Sequence, residues 1–384
     1  MLRRARLAVA VVFFVNGAVF AAWASRVPAI RGQLGLSDGE LGLALLGLAA
    51  GALLGLPTAG ALVARWGSVI VVRGSLLTYC LALGLLPWAG NLSWLTLALA
   101  ALGLSNSLLD VAMNAHGVEV ERGYQRKILA GFHAQFSFGG LAGALAGTLA
   151  AAAGVSPQIH LTSAAVVLLL AGLAASRFLL RDEQRRVTRV RQGLARPDRT
   201  LGVLGVLAFC CLLCEGVAND WSAVYVQDEL HGSPGLAAAT FAAFSLTMAI
   251  GRLFADRAVM RVGLRPFLAG AGLLAGSGFG LGLAFPAPVA GLLAFAVLGA
   301  GLSGVVPALF SAAAEGREQA SPAISTVSTL GYFGFLAGPP LIGALAQAWN
   351  LRAALLVVVF LLTLVLPAGA ATLTARRAVQ RGPQ

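Results

Sequence analysis

Stretches of about twenty apolar residues recur from one end of this chain to the other, and no other feature constrains its fold as tightly. At 1.5 Å of rise per residue such a stretch, coiled as a helix, crosses a hydrocarbon layer of roughly 30 Å. Twelve can be drawn, over residues 7–26, 41–64, 69–88, 92–117, 128–154, 159–180, 201–226, 236–255, 266–285, 289–314, 322–349 and 352–373. They are apolar all round and too long for the alternating strands of a barrel, so the expected fold is all-α and polytopic. Charged residues make up 11% of the 384, less than half the roughly 25% of soluble domains, which excludes a single water-soluble core.

The chain has 27 basic residues and a net charge of +12, a balance that in a soluble protein points to nucleic acid. Here the basic residues sit between the apolar runs, and no stretch joins a basic groove to stacking aromatics, so no nucleic-acid partner is expected. Sorted by alternate connections they divide 24 to 3, with only Arg26, Arg31 and Arg352 on the poorer side. By the positive-inside rule both termini are then cytoplasmic, in an inner membrane. The polar stretch Arg181 to Thr200 reads as a cytoplasmic linker between halves 1–180 and 201–384. The opening Arg3-Arg4-Ala5-Arg6 and the apolar run after it imitate a signal peptide, but eighteen residues from Leu7 to Ala24 exceed its usual apolar core, so an uncleaved first helix is expected.

Cys80, Cys210, Cys211 and Cys214 all fall inside apolar runs and are expected to be small buried thiols. Four scattered histidines supply no metal set, and no Walker-type loop is present, so neither a metal, a cofactor nor self-contained ATP hydrolysis is expected. The 48 glycines make sense as close helix contacts, in stripes Gly47/Gly51/Gly55, Gly139/Gly143/Gly147 and Gly272/Gly276/Gly280. The halves also echo each other. Gly60-Ala61-Leu62-Val63-Ala64-Arg65 matches Gly251-Arg252-Leu253-Phe254-Ala255-Asp256-Arg257 at an offset of 191, and Leu141-Ala142-Gly143 matches Leu336-Ala337-Gly338 at 195.

Twelve spans in two repeated halves resemble the major facilitator superfamily over essentially the full length. The loop after span two looks like that family's G-x-x-x-D-R-x-G signature at Gly60, Arg65 and Gly67, with Ala64 in place of the acid, which the second copy keeps as Asp256 before Arg257. Trp23-Ala24-Ser25-Arg26, Leu109-Asp110 to Asn114, Gly131-Phe132-His133 and Glu215 with Asn219-Asp220-Trp221 resemble its YbjJ-like bacterial branch. The resemblance implies two pseudo-symmetric six-helix bundles and a solute path lined chiefly by spans one, four, seven and ten. It also implies gating by Gly60, Arg65, Gly251, Arg252, Asp256 and Arg257, with Asp256 docking at the start of span five beside Arg126 and Lys127.

Polar groups inside the spans are costly enough to serve a cavity, a pairing or a proton step. Asn106, Asp110 and Asn114 form one stripe of span four. His133 and Ser137 lie one turn apart in span five, and a hydrogen bond from Asp110 to His133 is expected either to relay protons or to fix two helices. Glu215 in span seven, with Asn219 one turn further out, is a substrate or proton site or a structural acid bonded to a neighbouring helix. Asn16, Trp23 and Arg26 in span one, Asp220 near the outer mouth and Ser303 in span ten complete the candidates, with Arg26 to Asp220 a candidate external gate. The leading expectation is a monomeric secondary transporter of a polar or sugar-like solute, coupled to protons, working by alternating access among membrane lipids. A drug or metabolite efflux antiporter and a non-transporting sensor stand as alternatives; an enzyme is not expected.

Overall fold

The computed structural model describes residues 2–124, 128–180, 198–315 and 320–373, and among them the chain is helical with no strand. The helices are α1 (Leu2–Ala24), α2 (Val27–Leu34), α3 (Asp38–Trp66), α4 (Ser68–Leu85), α5 (Leu92–Tyr124), α6 (Leu129–Ala152) and α7 (Pro157–Ser176) in the first half. In the second come α8 (Arg199–Val224), α9 (Pro234–Val262), α10 (Leu264–Ala284), α11 (Pro288–Leu302), α12 (Val305–Ala314), α13 (Ala320–Ala348), α14 (Leu351–Phe360) and α15 (Leu366–Thr372). Eleven stretches among the described residues are long and apolar enough to cross a membrane. The 24-residue α6 has the length but is diluted by His133, Gln135, Ser137 and glycines.

The expected spans hold, with instructive differences. Helix α2 was not foreseen, because eight residues are too short to announce themselves by apolar length; Pro28 in its first turn and Gly35 at φ 62° bound it. The tenth span breaks at Ser303 and Gly304 between α11 and α12, and wider π turns close α8 (Tyr225–Glu229) and join α14 to α15 (Leu361–Val365). Polar side chains fix the starts of several helices. Ser37 and Glu40 form a capping box on α3, while Ser156 and Ser233 cap α7 and α9, each followed by proline in the first turn. The linker lies outside the described residues up to Asp198, whose carboxylate accepts from the Leu201 N–H at 2.8 Å and starts α8.

Two bundles result. In the first, α3 packs on α5, α1 on α6 and α7, and α4 on α5 and α7; in the second, α13 packs on α8, α9 on α11, and α10 on α11 and α15. Glycine makes these approaches close. A methyl group at Gly51 would fall 2.0 Å from the Ala100 carbonyl oxygen, at Gly139 1.9 Å from that of Phe14, and at Gly334 2.1 Å from that of Phe209. The third stripe meets Leu362 at Gly272, Thr363 at Gly276 and Val359 at Gly280. All four cysteines are buried and free.

The bundles touch along α3 with α13 and α6 with α9. These contacts concentrate at the arginine-poor end. A methyl at Gly42 would sit 2.9 Å from the Pro339 carbonyl oxygen, and one at Gly235 2.9 Å from Cβ of Ala152. Toward the arginine-rich end Gly60 has nothing within 4 Å, and Leu253, Phe254 and Met260 are exposed. Among the described residues, these close glycine contacts between the bundles lie at the arginine-poor end.

Candidate functional site

Between the bundles, just past the closed contacts, lies a cavity in two adjoining lobes of about 250 and 270 Å³. Phe20 of α1, Asn106 of α5, Glu215 of α8 and Phe335 of α13 line both. Helix position explains the level: Leu48 to Leu56 on α3 and Phe241 to Arg252 on α9 lie inward of the contacts at Gly42 and Gly235.

The first lobe holds an ion pair. Arg252 of α9 reaches Glu215, Nη2 to Oε1 3.6 Å, with both side chains partly open to solvent. Ser137, Asn219 and Ser245 share this lobe with Phe136, Phe241 and Phe244. The second lobe adds Asp110 and Tyr332. Asn114 donates to Asp110 Oδ1 at 3.2 Å and to its backbone carbonyl at 2.8 Å, as the four-residue spacing allows.

Five residues of the predicted pathway, Asn106, Asp110, Ser137, Glu215 and Asn219, therefore line one cavity. The others do not. Asn16 is buried and donates to Met113 Sδ at 3.6 Å, tying α1 to α5. Ser303 turns back to the Ala300 carbonyl at 2.8 Å and packs beneath Gly251. Trp23, Arg26 and Asp220 are buried nearer the arginine-poor end, outside the cavity lining.

Three expectations fail on packing. The Asp110 to His133 bond is not formed: α6 packs on α1 and α9 rather than α5, and His133 lies edge-on to Phe13 at 5.2 Å. Arg26 does not meet Asp220, because it donates to the Val155 carbonyl within its own bundle. Span ten contributes no residue to either lobe, and spans two, five, eight and eleven do. The reason is that α11 is packed between α9 and α10, leaving α13 to face the cavity.

The closed end has a different ion pair from the one expected. Arg31 of α2 contacts Asp38 of its own bundle at 2.8 Å and Asp228 of the other at 2.5 Å, and also donates to the Leu36 carbonyl at 3.0 Å. Sequence alone had marked Arg31 only as one of three basic residues on the poorer side. Of the predicted gate, Arg65 lies 5.9 Å from the Trp66 ring, and Gly60, Asp256 and Arg257 are exposed. Arg126 and Lys127 fall outside the described residues. The start of α6 that Asp256 was expected to approach is capped by Glu121, which accepts from the Ile128 and Leu129 N–H groups at 2.7 and 2.9 Å.

The profile of the Major Facilitator Superfamily matches residues 9–214 and 204–384. An uncharacterized MFS-type transporter of Yersinia pestis is 35% identical, covering 94% of each chain. Among solved structures, a single-residue mutant of the nucleoside transporter NupG superposes with a TM-score of 0.81 at 11% identity, covering 95% of this chain and 98% of that one. A bacterial homolog of the human lysosomal transporter Spinster, inward-facing and unoccupied, gives a TM-score of 0.76 at 15% identity over 96% of both.

Proposed function

Because this chain belongs to the major facilitator superfamily, we propose that it moves a small polar solute across the cytoplasmic membrane by alternating access coupled to protons. The observation that carries the reading is a cavity walled by both bundles, with amides, hydroxyls and phenyl rings around the Glu215–Arg252 pair. On this reading residues 1–180 and 201–384 are the two moving bodies, 181–200 tethers them, and the arginine-rich end with both termini faces the cytoplasm. The cavity is then drawn in its inward-facing state.

The pair supplies a coupling device. With Glu215 ionised, Arg252 is held at 3.6 Å and neutralised. A proton on Glu215 removes that attraction and leaves Arg252 to the solute or to water, so proton and solute occupancy are linked through one arginine.

Purified protein in proteoliposomes, given an imposed pH gradient and a panel of radiolabelled polar solutes, tests the reading. Accumulation that collapses with an uncoupler, and that Glu215→Gln reduces at least about tenfold, is the expected result. Solute entry against the proton gradient's direction identifies the efflux antiporter instead. No gradient-dependent flux of any bound solute identifies a sensor and ends the transport reading.

A further inference from the structure

The second lobe carries a charge that no basic side chain answers. Its wall holds two carboxylates, Asp110 and Glu215, and no lysine, arginine or histidine. Glu215 has Arg252, which lies on the other lobe's wall. Asp110 has only the Asn114 amide on Oδ1, and its Oδ2 has no hydrogen-bond partner among the described residues. Three aromatic rings, Phe20, Tyr332 and Phe335, line the same lobe.

This combination selects among occupants. An anion would meet the Asp110 carboxylate, which no basic side chain of the lobe offsets. A hard metal ion favours a cluster of several charged ligands, and the described residues hold no group of three metal-binding side chains. A proton alone needs no lobe of about 270 Å³. An organic ammonium uses every feature: the free carboxylate oxygen takes its charge, the ring faces accept it by cation–π attraction, and Asn106 bonds a neutral polar part of the same molecule. Resting on the transport reading for the cavity's role, we infer that the solute carries a protonated amine and seats it against Asp110 between Phe20, Tyr332 and Phe335.

Matched pairs test this: ethanolamine against ethylene glycol, glucosamine against glucose, and phenethylamine against phenylethanol, each titrated into detergent-purified protein with thermal stability as readout. At least one amine is expected to stabilise the protein where its neutral partner does not. Asp110→Asn should weaken that amine by roughly tenfold or more, and Asp110→Glu should retain part of the binding. If Asp110→Asn does not fold, Phe335→Leu and Tyr332→Leu serve, each expected to weaken the amine several-fold. The inference is overturned if neutral partners bind as well as amines, if no amine stabilises the protein, or if amine binding survives the replacements unchanged. Flux of the bound compounds separates this from the transport reading. Amine binding without flux sinks transport and leaves the amine seat standing; flux confined to neutral solutes does the reverse.

Discussion

The two bundles share a fold but meet the cavity with opposite electrical arrangements. In the first half Asp110 stands with an amide neighbour and no cation, while in the second Glu215 is answered by Arg252 from the next helix. The repeated sequence motif shows the same divergence. Gly251 is packed so closely that a methyl group would sit 2.2 Å from Ser303 Oγ, whereas Gly60 faces open space. The two halves thus keep a common helical scaffold while their polar and contact positions serve separate uses, so neither half can be read from the other.

The largest test asks whether the shared scaffold depends on glycine equally in both halves. A side chain at Gly103 would meet the Leu48 carbonyl at 1.9 Å, and one at Gly334 the Phe209 carbonyl at 2.1 Å, both rigid backbone. Gly103→Val and Gly334→Val should each cost about 3 kcal/mol or more and abolish recovery of monodisperse protein in size-exclusion chromatography. Wild-type behaviour in either variant would show that the half concerned packs differently.

A double-mutant cycle on Glu215→Gln and Arg252→Gln sharpens the electrical contrast. Because both side chains are partly solvated, their coupling should be only about 1 kcal/mol in thermal unfolding, even though either single change strongly lowers flux. No measurable coupling would remove the pair from the mechanism. At the closed end, Arg31→Ala removes the contact that joins the bundles through Asp228. It should shift the open fraction up to roughly tenfold, read as faster maleimide labelling of a cysteine placed at Gly39. The smallest expected effect belongs to the motif glycines: Gly60→Ala should change stability by less than about 0.5 kcal/mol, while Gly251→Ala should be clearly destabilising.

The apolar lengths made the spans legible almost to their ends, because hydrocarbon thickness imposes a scale on every crossing helix. Side-chain partners were legible only when local. Asn114 four residues after Asp110 could be placed beside it; His133 could not, since consecutive spans need not be packed neighbours. Arg31 was within reach of the sequence, being a basic residue on the depleted side seven positions before Asp38. The phenyl rings of the cavity were not, because a phenylalanine facing lipid and one facing a solute look identical in an apolar run. Phe20, Phe136 and Phe335 became visible only once the bundles were assembled.

The contact of Gly42 with Pro339 and Gly343, main chain resting on main chain, has a mechanical corollary. Interlocked side chains behave like gear teeth and resist sliding; bare peptide surfaces behave like a bearing, over which one body can roll without any rotamer having to jump. Friction at that seam should be low, leaving the Arg31 clasp as the chief detent that holds the arginine-poor end shut.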